Sequence, residues 1–247
     1  MSARKNSALA AKIEFFIKPL GLTYISGEES ALLNLIEGKR PEPRLKPPYP
    51  TEHGLYGRPT LINNVETFYD VALVAAGTYE HHRFYTVSGA VKRRGVYSLP
   101  ANLSIEDVLR RSHNYPERPF FVQIGGEASG QVLNSSQLSE PVDGAGSIMV
   151  YDLELSDPWK LVKRWLRFYR QQSCGQCTVC REGSYRLDEM VSGAPRQRSL
   201  DKDLFWELVS SLEESSFCAL GYSLPVPLRT YAANVFDFTA VVKPKNS

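Results

Sequence analysis

Ser173-Cys174-Gly175-Gln176-Cys177-Thr178-Val179-Cys180-Arg181-Glu182-Gly183 carries three cysteines, each two residues from the next, and the fourth follows in Phe217-Cys218-Ala219-Leu220-Gly221. These are the only 4 cysteines among 247 residues, so none is left over. Three thiolates spaced in this way can grip three corners of a cubane from one tight loop. A fourth from a distant segment closes it, which is the ligand set of a [4Fe–4S] cluster. A structural zinc site is the first rival, but zinc ribbons usually supply two separated C-x-x-C pairs, one for each tetrahedral edge. Disulfides are the second. Clustered C-x-x-C thiols in a chain with no secretory leader are more often metal ligands. The spacing favours the cluster, and with it electron transfer.

The residues around the cysteines read as helical. Asp157-Pro158 is a strong helix start, with Asp as N-cap and Pro in the first turn. Trp159, Val162, Trp165, Leu166 and Tyr169 then recur at helical spacing. Lys160, Lys163, Arg164, Arg167 and Arg170 run alongside, most simply as a solvated face. Further amphipathic helices are expected over roughly 182–191 and 201–211, and a last one from near Val226. The cysteines fall in the loops and ends of this small helical bundle.

Upstream the period changes to two. Residues 83–91 and 95–100 flank the polar turn Lys92-Arg93-Arg94 and read as a β-hairpin. Ser104 to Asp107 opens a short helix, and strands are expected at 120–124 and 147–151. Hairpin, helix and further strands make an α+β module of β-grasp type. Nearer the start, 28–37 reads as a helix stopped by Gly38, with Glu28 and Glu29 where the helix dipole favours acids. Residues 39–50 are rich in proline and read as an extended, polyproline-II-like strap. Asn63 with Glu66 resembles a capping box. Ile13-Glu14-Phe15-Phe16-Ile17 reads as a short strand without an upstream neighbour.

Length and composition bound the rest. The chain is 43% hydrophobic and 23% charged, an ordinary globular composition. Its net charge of +2 gives no case for nucleic acid, and no nucleic-acid partner is expected. No run of eighteen apolar residues and no secretory signal is present. The expected location is the cytoplasm, with no direct membrane insertion and any membrane association peripheral, through a larger complex.

Five segments together resemble one family: Tyr24-Ile-Ser-Gly-Glu-Glu-Ser-Ala-Leu-Leu33, Arg44-Leu-Lys-Pro-Pro-Tyr-Pro50, Gly57-Arg-Pro-Thr-Leu-Ile-Asn-Asn-Val-Glu-Thr67, and the two cysteine segments. The family is the NADH-binding flavoprotein subunit of respiratory complex I, with relatives in NAD-linked hydrogenases and formate dehydrogenases. The likeness runs from about residue 13 to about residue 237. It implies an NADH dehydrogenase module in which electrons pass from NADH to FMN and on to a [4Fe–4S] cluster. It implies three domains: a C-terminal remnant of the α/β FMN/NADH-binding domain (1–80), an SLBB-like β-grasp domain (81–155) and a four-helix-type iron–sulfur domain (156–247). Cys174, Cys177, Cys180 and Cys218 would be the cluster ligands. Tyr24, Gly27, Glu28 and Glu29 would line the flavin and nucleotide pocket, with Glu29 as the catalytic group. Tyr49 would stack on the nucleotide, and Asn63 and Asn64 would face the flavin. A glycine lets a ring approach the backbone, an aromatic offers a stacking face, and amides supply both donors and acceptors.

The chain departs from the family pattern in places. It contains no G-x-G-x-x-G loop of the kind that cradles phosphate at a helix N-terminus. Ser26 replaces a cysteine, Val179 a proline and Tyr222 an acid. The implied partners are a separate flavin-domain chain, a [2Fe–2S] thioredoxin-like subunit, further redox subunits and NADH. The alternative is a flavin-free [4Fe–4S] relay or interaction subunit of a hydrogenase or formate dehydrogenase complex.

Overall fold

A computed structural model describes residues 13–126, 128–193 and 200–239. The chain divides into two compact units, Met1–Thr60 and Leu61–Ser247.

The first unit is built on helix α1 (Glu29–Ile36), with a 3₁₀ turn at Tyr24–Gly27 before it and the short α2 (Pro50–His53) after it. Glu28 starts α1 by accepting the N–H groups of Ser30 and Ala31, both at 2.9 Å. Gly38, at φ 75°, ends it as expected. Residues 13–19 form no strand: Phe15 is 91% and Ile17 87% exposed. A strand needs a partner edge, and no described residue offers one. The strap of 39–48 forms neither helix nor strand, and its Lys46–Pro47 and Pro47–Pro48 bonds are cis.

In the second unit, α3 (Val65–Ala75) is capped by Asn64, whose side chain accepts from Thr67 N–H at 2.8 Å. The cap is thus one residue later than the expected Asn63. Glu66 instead accepts the backbone N–H of Phe84 at 3.2 Å, so the expected capping box is not formed.

A mixed five-stranded sheet follows, in the order β2-β1-β5-β3-β4. Its strands are β1 (His82–Gly89), β2 (Gly95–Pro100), β3 (Phe120–Ile124), β4 (Gln131–Asn134) and β5 (Ser147–Asp152). The β1–β2 hairpin is antiparallel, with Tyr85 opposite Tyr97. Only β1 and β5 run parallel, and β5 lies between β1 and β3. Helix α4 (Ile105–Arg111), capped by Ser104, adds Ile105, Val108 and Leu109 to one face of the sheet. There they meet Tyr85, Val87, Val122, Ile148 and Val150 in one apolar core. The side chain of the fully buried Asn114 takes Arg93 N–H at 2.8 Å and donates to Arg93 C=O at 2.8 Å, holding the hairpin turn.

Five helices complete this unit: α5 (Pro158–Gln172), α6 (Thr178–Gly193), α7 (Lys202–Ser215), α8 (Ala219–Ser223) and α9 (Pro225–Asn234). The apolar stripe of α5 buries Trp165, Leu166 and Tyr169. Trp165 and Tyr231 of α9 meet edge to face at 5.4 Å. Helix α9 also closes the sheet edge, since Asn234 donates to Val132 C=O at 2.7 Å and Thr230 accepts Val132 N–H at 2.9 Å. That seats the helical region on the sheet through β4, a strand too short to show a period in the sequence. Among the described residues, no helix is long and apolar enough to cross a membrane.

Candidate functional site

The four cysteines come from three places in the helical region. Cys174 and Cys177 lie in the turn between α5 and α6, and Cys180 sits inside the first turn of α6. That helix therefore begins at Thr178, earlier than the expected start near Glu182, and takes one ligand position into its body. Cys218 is the N-cap of α8, in extended conformation at φ −144° and ψ 172°. All four are thiols, outside any disulfide.

Their electrostatics show that they converge. Burial pushes the Cys180 thiol up to about 11, against a hydrogen bond to Ser173, and Cys177, Cys218 and Cys174 each push it further. Burial likewise raises Cys218, while the N–H groups of Leu220 and Gly221 point toward its sulfur and oppose the rise. Neither N–H closes to a full cap hydrogen bond. Burial and the neighbouring thiols favour the neutral form of Cys180 and Cys218, so a polycation there would stabilise their thiolates.

The arrangement also bears on which metal group fits. Among the described residues, no three or more His, Cys, Asp or Glu side chains could together hold a metal ion. Tetrahedral zinc needs every sulfur about 2.3 Å from one centre, whereas a cubane takes each thiolate at a separate corner. Close helix packing surrounds the cysteines. A Cβ on Gly183 would lie 3.2 Å from Leu212 of α7, and a Cβ on Gly221 would lie 3.4 Å from the Cβ of Cys180. Glycine at both positions lets α6, α7 and α8 approach. An ion pair from the exposed Arg170 to the buried Asp188, at 2.8 Å, ties α5 to α6 just beyond the cysteine turn.

The residues expected at the flavin lie in both units. In the first, Tyr24 and Tyr49 present rings that are 61% and 54% exposed. Nothing lies within 4 Å of where a Cβ would sit on Gly27, so a planar ring has access to that backbone. Glu28 and Glu29 are brought together on Lys46 of the strap: Lys46 Nζ reaches Glu28 at 3.1 Å and also pairs with Glu29. Burial raises the Glu28 carboxyl, but the Ser30 hydroxyl, the Ala31 N–H and Lys46 outweigh it and hold it below its usual range. Glu28 therefore serves as a helix cap as well as a pocket wall. In the second unit, Asn63 and Asn64 are exposed, and Asn64 caps α3. The residues of the first unit fit one wall of a flavin site. No phosphate cradle accompanies them in the sequence.

Two basic residues of this region, Lys46 and Arg44, are not singled out by the sequence pattern. Arg44 Nε donates to Asn34 at 2.7 Å, its guanidinium pairs with Glu37 at 2.9 Å, and its backbone N–H donates to the Ser30 hydroxyl at 2.9 Å. It pins the strap onto α1. The one signal for this role is the basic character of Arg44-Leu45-Lys46 facing an acidic helix start.

This network has a pH consequence. Hydrogen bonds from Lys39, Arg44 and the Tyr56 N–H hold the Glu37 carboxyl at about 2, against an ordinary value of 4.5. A depressed carboxyl contributes stability that is present above pH 4.5 and is lost as pH falls toward 2. Hydrogen exchange across 34–58 is expected to accelerate over that window in the native chain. In Glu37→Gln the acceleration is expected to be blunted and the pH 7 protection already reduced. Equal pH profiles for the two would rule out this role for Glu37.

Comparison with known proteins agrees with this geometry. A family model described as the NADH-ubiquinone oxidoreductase-F iron-sulfur binding region matches residues 160–237. A second, the Nuo51 FMN-binding domain, matches residues 1–73. The F-type subunit of NADH-quinone oxidoreductase in Mycobacterium tuberculosis (strain H37Rv) is 36% identical over 234 residues, covering 83% of this chain and 52% of that protein. Its namesake in Aquifex aeolicus is 32% identical, covering 85% and 54%. The NADP-reducing hydrogenase subunit HndC of Solidesulfovibrio fructosivorans is 29% identical, covering 83% and 47%. Among solved structures, an NAD+-reducing [NiFe]-hydrogenase in the H2-reduced state superposes with a TM-score of 0.79 at 30% identity, covering 91% of this chain and 42% of that one. The chain thus spans about half the length of the curated relatives it matches.

Proposed function

We propose that this chain, which is similar to the NADH-quinone oxidoreductase-F type, is the electron-exit part of an NADH-oxidising module. The observation that carries this reading is the convergence of Cys174, Cys177, Cys180 and Cys218 from three helix ends.

FMN and a [4Fe–4S] cluster, when bound, supply hydride-accepting and single-electron chemistry respectively. The chain's own residues have the following parts. The four thiolates would hold the cluster, with Cys180 buried and the other three half-buried. Gly27 leaves its backbone open to a planar ring, Tyr24 and Tyr49 offer stacking faces, and the Glu28–Glu29–Lys46 group orients the nucleotide side. Glu29, paired with Lys46, would be the catalytic group. Residues 1–80 belong to the flavin domain. The sheet with α4 (81–155) is an SLBB-like β-grasp module, and α5 to α9 (156–247) form the iron–sulfur bundle. The partners that follow are a [2Fe–2S] thioredoxin-like subunit and further redox subunits of a complex.

Anaerobic reconstitution of the chain with ferrous iron and sulfide is expected to give a brown protein with about four irons per chain. Co-expression with a flavin-domain polypeptide is expected to give FMN uptake and NADH-dependent dye reduction. A colourless chain holding one zinc would defeat the redox reading. An iron-loaded pair that takes up no FMN would leave the second reading, a flavin-free relay. That reading is favoured by one observation: the Glu28 carboxylate is already engaged by four donors of its own chain.

A further inference from the structure

Ser216 ends α7 in extended conformation, at φ −71° and ψ 142°, and lies two residues before Cys218. Its backbone N–H is satisfied by Leu212 C=O at 3.2 Å. Its hydroxyl is not: the Oγ is buried and has no hydrogen-bond partner. A buried unpaired hydroxyl is costly, and native proteins rarely tolerate one without a use. Its position suggests the use. The point where a Cβ on Gly221 would sit touches the Ser216 side chain on one side and lies 3.4 Å from the Cys180 Cβ on the other. The Ser216 hydroxyl thus packs against Gly221, close to Cys180 and two residues from Cys218. Ser173, the other serine at this site, differs, because its hydroxyl already accepts Gly175 N–H at 3.2 Å and contacts the Cys180 sulfur at 3.5 Å.

We propose that the Ser216 hydroxyl donates a hydrogen bond to a sulfur of the bound cluster, and that this bond raises the cluster's reduction potential. Reduction of the cluster by one electron adds one unit of negative charge, most of it shared by iron and sulfur. A donor aimed at a sulfur stabilises the reduced form more than the oxidised one, so the potential rises. In this low-dielectric setting the bond is stronger than it would be in water. The donor would make electron entry easier without supplying a ligand. This proposal rests on the [4Fe–4S] reading above.

The test uses the full chain, reconstituted anaerobically with ferrous iron and sulfide, as wild type, Ser216→Ala and Ser216→Thr. Iron content and an EPR-monitored redox titration are measured on each, and melting of the iron-free forms is followed in parallel. Ser216→Ala is expected to hold the same iron as wild type and to titrate at a more negative potential. Ser216→Thr, which keeps the hydroxyl, is expected to return toward the wild-type midpoint. Without iron, Ser216→Ala is expected to melt no lower than wild type, because it removes only an unpaired group. An unchanged midpoint in Ser216→Ala overturns the proposal. So does a lower melting temperature without iron, which would mean that the hydroxyl is already satisfied by the protein. Loss of iron from Ser216→Ala overturns it as well, since a hydroxyl that only tunes the cluster is dispensable to loading. A wild-type chain that takes up no cluster defeats the functional reading itself, and is told apart because it precedes any comparison of variants.

Discussion

Cys218→Ser is expected to lower the reconstituted iron content from about four per chain to about three or fewer and to abolish the [4Fe–4S] EPR signal, while the fold survives. The two halves of that result have separate causes. A serine hydroxyl is a far poorer iron ligand than a thiolate, because its proton is held much more tightly. Without the fourth corner the cubane loses an iron or does not assemble. The fold is spared because Cys218 occupies the N-cap of α8 in extended backbone geometry, where serine is among the preferred residues. The Leu220 and Gly221 N–H groups that now point at the sulfur would meet a better acceptor. Far-UV circular dichroism and melting of the iron-free variant should therefore match wild type or exceed it slightly. Full iron content in Cys218→Ser would remove Cys218 from the ligand set. A collapsed fold would mean that the cysteine is structural.

Gly89→Ala is expected to have the largest effect on stability, lowering it by about 4 kcal/mol through two costs of roughly 1–3 kcal/mol each. Gly89 ends β1 at φ +88°, in the region that L side chains rarely adopt. An added Cβ would also collide with the carbonyl oxygen of Val150 and come within 2.9 Å of its carbonyl carbon and its nitrogen. These are backbone atoms of β5, the central strand, so no side-chain rotation relieves the clash. Gly89 pairs with Val150 in the parallel β1–β5 ladder, and Val150 lies in the core shared with α4. Melting is expected to fall by roughly 10 °C for a unit of this size. Iron loading by the surviving folded fraction should be unaffected, since the cysteines lie on other elements. A shift of less than a degree or two would show that the two strands can part at low cost.

How much of this is legible in the residues differs from element to element. The hairpin of β1 and β2 is readable because one face of each strand is covered, so the period-two pattern is written into the residues. The cap at Asp157-Pro158 is readable because its chemistry is local. The N-terminal segment fails as a strand for a non-local reason: the apolar residues at 13–17 suit a strand, but strand formation requires a paired edge. The cap at Asn64 differs by one residue from the expected Asn63 because either asparagine can serve, and the choice is made by Glu66, whose carboxylate goes to the Phe84 N–H instead of back to the cap. The short β4 becomes visible only through α9, which supplies its outer hydrogen bonds.

The sequence by itself determined which residues could hold a cluster, because ligand identity and the C-x-x-C-x-x-C spacing are properties of the chain alone, and it carried the likeness that proposes their use. Only the tertiary structure decided that the segment of Cys218 lies against Cys180, since that approach depends on α7 and α8 packing against α6 across Gly183 and Gly221. It likewise decided that Lys46 draws Glu28 and Glu29 together, and that the Ser216 hydroxyl is buried without a partner beside Gly221. Each of these joins residues distant in sequence, and such contacts depend on how much surface every other part of the chain buries, which no local pattern records.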